Sequence, residues 1–229
     1  MKKTIISCVL FLTAVTAFSQ TPMKTAAEAK LSASDLAVKI ADRILATTTY
    51  EFKNTKTGKT YKSVKNLPLD MNVKVACKYN NWHYTNGVTH IALMELADKT
   101  GAKKYDDYVL KNMNFVFNEG NLDFFKKQYD QAMKNEGWYG VRKLSWHMIF
   151  RGKRLDDNGP MGASLIDLQM KHPNNSFLNY INETAEHLNY GEPRLADGTI
   201  ARIWPHENTI WADDAFMAIS FLRSEEHTS

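Results

Sequence analysis

The chain has 229 residues, 44% hydrophobic, 11% aromatic and 24% charged, with a formal net charge of +4. Eleven glycines and six prolines are too few for a collagen-like, low-complexity or wholly disordered chain. The length fits one domain or a piece of a larger one.

The first nineteen residues open with Met1-Lys2-Lys3, carry an apolar run from Ile5 to Phe18 and close on Ala17-Phe18-Ser19. A basic start, a short apolar stretch and small residues two apart make a secretory signal over residues 1–19. The run is shorter than the roughly 20 residues a bilayer span needs, and Cys8 comes too early for a lipoprotein cleavage box. The expected protein is therefore exported, secreted or periplasmic, and free of the membrane once the signal is removed. Losing Lys2 and Lys3 lowers the charge of +4 by two, which is too mild a balance to argue for a nucleic-acid partner. Cys77 is then the sole cysteine, so no internal disulfide can form.

Residues 20–33 are small and polar and read as a flexible leader. Ser34-Asp35 is placed to cap a first helix, with Leu36, Ala37, Ile40, Ala41, Ile44 and Leu45 on one stripe. Residues 51–66 are polar and rich in lysine and threonine, a predicted surface loop. Gly58-Lys59-Thr60 resembles the end of a phosphate-binding loop, but Lys53 stands where the upstream glycine is required. That motif is rejected.

A two-helix pattern then occurs twice and begins a third time. Residues 88–97 and 160–170 are apolar nearly all round, and each is followed by a one-sided amphipathic stretch. Those stretches are 103–117, through Tyr105, Tyr108, Val109, Met113 and Val116, and 177–188, through Phe177, Ile181, Thr184, Ala185 and Leu188. Residues 212–222 start another apolar helix. A further helix is expected over 121–134, and a turn with a short strand pair around Asp197-Gly198. Alternation of doubly buried and one-sided helices is what two concentric helical layers require. The periodicity fits an all-α toroid, and stacked helical repeats nearly as well.

The apolar run ends abruptly at Arg223-Ser-Glu-Glu-His-Thr-Ser229, a heptapeptide that matches the translation of a sequencing adaptor. The expectation is that residues 34–222 form the N-terminal part of a helical domain, that 223–229 are not native, and that the gene product continues.

Each of the three inner-type helices is preceded by a loop dense in chemistry-bearing side chains. These are Asn81-Trp-His-Tyr-Thr-Asn-Gly87, Arg151-Gly-Lys-Arg-Leu-Asp-Asp-Asn-Gly159 and Trp204-Pro-His-Glu-Asn-Thr-Ile-Trp-Ala-Asp-Asp214. If the inner helices run parallel, the loops meet at one mouth, where helix N-termini favour an anion. Aromatic faces suit sugar stacking and carboxylates suit acid–base work, so an anionic sugar is the natural occupant. Asp156, Asp157, Asp213 and Asp214 also suit helix capping, although one Asp suffices per helix; both readings stand on the residues alone. Arg151 and Arg154 fit either a carboxylate clamp or a solvated surface. His83 and His90 lack a carboxylate suited to zinc, and no HExxH or CxxC occurs, so no metal site and no cofactor are expected.

At these loops the chain resembles glycoside hydrolase family 105, the unsaturated rhamnogalacturonyl and related unsaturated uronyl hydrolases. The match is carried by Trp82-His-Tyr-Thr-Asn-Gly-Val88 with Leu96-Ala-Asp-Lys-Thr-Gly101, by Leu155-Asp-Asp-Asn-Gly-Pro-Met-Gly-Ala-Ser-Leu165, and by Asp197-Gly-Thr199 through Pro205-His-Glu-Asn-Thr-Ile-Trp-Ala-Asp-Asp-Ala-Phe-Met217. The third segment is the most specific. The resemblance implies an (α/α)6 barrel, incomplete here because the chain stops near Leu222. It implies a substrate that is an unsaturated uronyl oligosaccharide released by a pectin lyase. An Asp protonates C4 of the enol ether, water adds at C5, and the hemiketal opens to release the partner sugar. This is not ordinary two-carboxylate glycosidase chemistry. The acid/base residue of the family falls on Asp213, and the second essential carboxylate on Asp157, with Asp156 the alternative. Trp82, Tyr84, Arg154, His206 and Trp211 are implied to line the site. Asn158 stands where related sequences often have Cys. The later inner helices of such a barrel, with further carboxylate- and sugar-binding residues, are expected beyond Leu222, so the full-length product is expected to be active and the 229-residue chain inactive. A non-catalytic carbohydrate- or protein-binding scaffold and an α/α-barrel glycosidase of saturated sugars are the competing readings.

Overall fold

The structure, a computed structural model, describes residues 32–117, 120–151, 154–203 and 205–226. The expected signal peptide, most of the leader and the last three residues lie outside the described residues. The chain divides into two compact units, residues 1–40 and 41–229. In the first, Ser32 rather than Ser34 starts helix α1 (Ala33–Thr47). The Asp35 N–H donates to Ser32 Oγ at 3.1 Å, and the Ser32 backbone N–H donates back to the Asp35 carboxylate at 3.2 Å. This reciprocal pairing is a capping box, and it needs the acceptor three residues ahead of the acid.

The second unit is predominantly helical, and 63% of the described residues are in helices, consistent with the all-α toroid expected from the sequence. After the end of α1 comes a small sheet, two of whose strands fall in the 51–66 stretch expected as a loop. Strands β1 (Phe52–Asn54), β2 (Thr60–Tyr61) and β3 (Val73–Val75) pair antiparallel in the order β2-β1-β3. The polar composition hid a period-two pattern in which Phe52 and Asn54 face in and Lys53 faces out. The β1–β2 turn closes because the Asn54 side chain accepts from the N–H groups of Lys56 and Thr57, both at 3.0 Å. Gly58 then supplies a φ of 74°.

Six helices follow: α2 (Tyr84–Thr100), α3 (Lys104–Phe117), α4 (Asn121–Val141), α5 (Met148–Arg151), α6 (Leu155–Lys171) and α7 (Asn175–Glu186). A π turn (His187–Gly191) leads on to α8 (Ala212–Glu226). The helix expected over 121–134 runs on to Val141 with a kink at Gly137, and the expected strand pair at 195–202 is one bridge, Arg194 to Ile200, around Gly198. Helix α8 continues past Leu222 to Glu226.

Helices α2, α6 and α8 pack side by side with their N-termini adjacent, and α3 and α7 lie against them. Two glycines set this spacing. A Cβ on Gly87 would overlap the backbone of Pro160 and Met161, and one on Gly159 would overlap the Met217 carbonyl. The three N-terminal turns can approach that closely only because both positions lack a side chain. The expectation that the inner helices are buried all round holds for the first twelve residues of α6, buried apart from Asp156, but not for Met170 near its end, which is exposed. It does not hold for α2 and α8, which leave Val88, Phe216 and Ile219 exposed. Among the described residues α6 has an inner neighbour on each side, whereas α2 and α8 each have one. The interior below them is aromatic: Trp82, Trp146, Phe52, Phe125 and Phe177 are fully enclosed. Trp146 stacks on Phe125 at 6.0 Å. Its φ of 61° is held by Asn81, whose side-chain oxygen accepts from the Trp146 N–H at 2.6 Å.

Candidate active site

The three polar loops do converge. His83, the N-cap of α2, accepts from the Thr85 N–H at 3.3 Å. It lies close enough to Asp156 and Asp157 at the α6 start for both to act on its charge. At the neighbouring helix end, carboxylate oxygens of Asp156, Asp213 and Asp214 lie within 4.8 Å of one another. The two Asp pairs, 57 positions apart in the chain by their first members, therefore share one rim.

Each pair divides in the same way. Asp157 is fully buried and its carboxylate is gripped on both oxygens by the forked Arg151 guanidinium. Asp214 is nearly buried and is gripped on both oxygens by Arg202. Asp156 stays half-buried and Asp213 exposed. Neighbouring helix residues point about 100° apart, so one member of each pair turns into the protein when the other faces the rim. Asp157 was expected as the second essential carboxylate, with Asp156 the alternative; the Asp157 side chain faces Arg151, and Asp156 is the member that lies near Asp213. Burial pushes the Asp157 carboxyl up from its usual range, and the Arg151 hydrogen bonds oppose that shift.

Arg202 joins the two pairs. Beyond Asp214 it comes within 3.8 Å of Asp156, and its guanidinium lies over the Trp211 ring, 4.1 Å from the centroid. Three carboxylates so close repel, and Arg202 supplies the counter-charge among them. Among the described residues this is the only grouping of three metal-type ligands, and a cation there would compete with that guanidinium.

The remaining expected site residues are distributed unevenly. Tyr84 and Trp211 are partly exposed, the first with its ring against His83 at 4.6 Å. Arg154 is exposed at the N-cap of α6 and near enough to Asp157 to stabilise its charge. His206 is exposed, and its backbone carbonyl accepts from Thr209 Oγ at 2.8 Å. Trp82 is not a sugar platform. It is wholly enclosed, packed edge-on against Tyr180 at 4.8 Å, and its indole N–H donates to the Asp157 backbone carbonyl at 2.6 Å. It holds the α6 start in place.

A cavity of about 930 Å³ opens beside the rim, within the range of small-molecule sites. Arg151, Arg154, Asn158, Arg202 and Asp214 line it together with Glu192. Glu192 is buried against His187, and that burial pushes its carboxyl up. Asp156 and Asp213 lie outside this lining, so the cavity adjoins the rim carboxylates rather than enclosing them. Sequence reasoning weighed Arg151 as a clamp for a substrate carboxylate; it clamps one from its own chain. It missed Arg202, His147 and Glu192. His147 sits within electrostatic reach of Arg151, Asp157 and His83, yet no spacing rule links it to them.

A family model described as Glycosyl Hydrolase Family 88 matches residues 54–225. The comparison with curated proteins finds no match. That family match spans both Asp pairs, both arginine partners and all three inner helices, so the chain belongs to glycosyl hydrolase family 88 and is a glycosidase-type domain with a carbohydrate substrate.

Proposed function

We propose that the protein removes a 4,5-unsaturated uronic acid from the non-reducing end of oligosaccharides left by a pectin lyase, as its resemblance to glycoside hydrolase family 105 implies. The observation that carries this reading is the meeting of Asp156, Asp213 and Asp214 at one rim within 4.8 Å. Asp213 is exposed there and serves as the acid that delivers a proton to C4. Water adds at C5, and the resulting hemiketal opens to release the partner sugar. Asp156 faces the same space as the second carboxylate, while Asp157 acts through Arg151 by fixing the α6 start. Tyr84 and Trp211 offer aromatic faces to the sugar, and Arg154 and the helix N-termini favour its carboxylate. The neighbouring cavity has room for the rest of the oligosaccharide.

The chemistry has a direct optical signature, since hydration destroys the enol ether and its ultraviolet absorbance. The protein is given unsaturated disaccharides from rhamnogalacturonan, galacturonan and glycosaminoglycans. Loss of absorbance on at least one is expected. Absence of loss on all of them, with turnover of a saturated sugar, would assign the rim to ordinary glycosidase chemistry.

A further inference from the structure

The region before α2 carries a second charged surface that this reaction does not use. Residues 51–78 hold seven lysines against two acids and no arginine, a larger excess than the +4 of the whole chain. Lys53, Lys56, Lys59, Lys62, Lys65 and Lys78 are exposed and Lys74 is half-buried. Among the described residues none of the seven has a carboxylate within 4 Å. Asp70 is occupied by Asn54 and Asn72, at 2.7 and 2.9 Å.

The sheet register concentrates this charge. Lys53 lies directly opposite Lys74 across the β1–β3 pairing and opposite Thr60 across β1–β2. With Phe52 and Val75 turned inward, the two ammonium groups share the outward face. Cross-strand neighbours stand about 5 Å apart, and like charges there cost the sheet stability. An anionic partner with regularly spaced charges would remove that cost. Between the sheet edge and α3 a second cavity of about 550 Å³ continues the surface. Tyr50, Lys62, Lys111 and Asn121 line it, Asp107 is its one acid, and the Lys111 ammonium lies over the Tyr50 ring at 4.3 Å.

We propose that this lysine face, with its adjoining aromatic cavity, binds the carboxylates of a polyuronate chain and holds the polymer at a place separate from the rim. Lysine is a compact point charge, suited to single carboxylates, whereas nucleic-acid recognition draws on the forked guanidinium, which residues 51–78 lack. A polyuronate offers one carboxylate per sugar along an extended chain, matching the Lys53–Lys74 pair of the sheet and the exposed lysines of the segments that connect its strands. The choice of uronate rests on the proposed reaction; the existence of the anion-binding face does not.

The test is native electrophoresis of the whole protein through gels containing polygalacturonate, neutral galactan or RNA at low salt. Retardation by polygalacturonate alone is expected, weakening as salt rises. Lys53→Gln with Lys74→Gln should weaken that binding about fivefold, an effect of the size of two exposed ion pairs. Lys99→Gln with Lys127→Gln removes the same charge from exposed helix sites and should leave it unchanged. Equal loss in the two double variants, equal retention by RNA, or no retardation at all would overturn the proposal. Turnover of an unsaturated disaccharide by the Lys53/Lys74 variant is read in parallel. Binding lost with turnover kept is expected; binding kept without any wild-type turnover would sink the reaction and leave the surface standing.

Discussion

The starts of α6 and α8 carry the same device twice, an Asp pair split between the rim and a buried arginine, but the two copies differ in depth. At α6 the pair of Asp157 and Arg151 is closed off, with side-chain exposures of 0% and 15%. At α8 the pair of Asp214 and Arg202 stands at 9% and 20%, and Arg202 spreads onto Trp211 and towards Asp156. The deeper pair anchors the backbone, through Trp82 on the Asp157 carbonyl. The shallower one holds the rim carboxylates in each other's company. The same two residue types thus do structural work in one repeat and electrostatic positioning in the other.

Four substitutions sharpen or break that comparison. Asp213→Asn should lower kcat by about 10²- to 10⁴-fold, the usual contribution of a general acid, while the melting temperature stays put. Asp157→Ala should act on stability instead, costing about 3–5 kcal/mol because Arg151 is left buried without its partner; chemical denaturation reads this directly. If Asp157→Ala left stability intact and abolished turnover, the split into rim and anchor would be wrong.

The third inner helix gives the contrast a control, since α2 buries an ionisable side chain with no partner. His90 is enclosed, burial holds its pKa at about 4, and no group among the described residues bonds either ring nitrogen. A depressed folded pKa means stability that is present above pH 6.5 and lost as pH falls towards 4, amounting to about 3 kcal/mol. His90→Leu should flatten that acid limb in a pH series of unfolding curves. The smallest effect is expected at α8: Asp214→Ala costs about 1–3 kcal/mol, and it should lower activity as well because Arg202 is then free to bind Asp156 or Asp213.

The helical framework was legible because burial writes a 3.6-residue period into α3 and α7, and because small residues such as Gly159 and Gly162 mark close helix contacts. The sheet was not, since Phe52 and Val75 are isolated among lysines and threonines and two buried positions do not make a visible alternation. The convergence of the loops followed from their repeated place before inner helices. Which Asp faces the rim depends on helix phase, to which a doublet such as Asp156-Asp157 is blind. The arginine partners were equally hidden, lying six and twelve residues upstream, Arg151 at the end of the short helix α5 and Arg202 at an isolated bridge to Thr209. Trp82 was misjudged because an indole beside Asn and His looks the same in a sequence whether it meets a sugar or a backbone carbonyl.

The most direct test is the rate of enol-ether absorbance loss for the wild type, Asp213→Asn and Asp156→Asn, measured side by side on one unsaturated uronyl disaccharide. The account predicts near-complete loss of rate in Asp213→Asn and a smaller but clear loss in Asp156→Asn, with both variants folded. A wild-type rate in Asp213→Asn would contradict it.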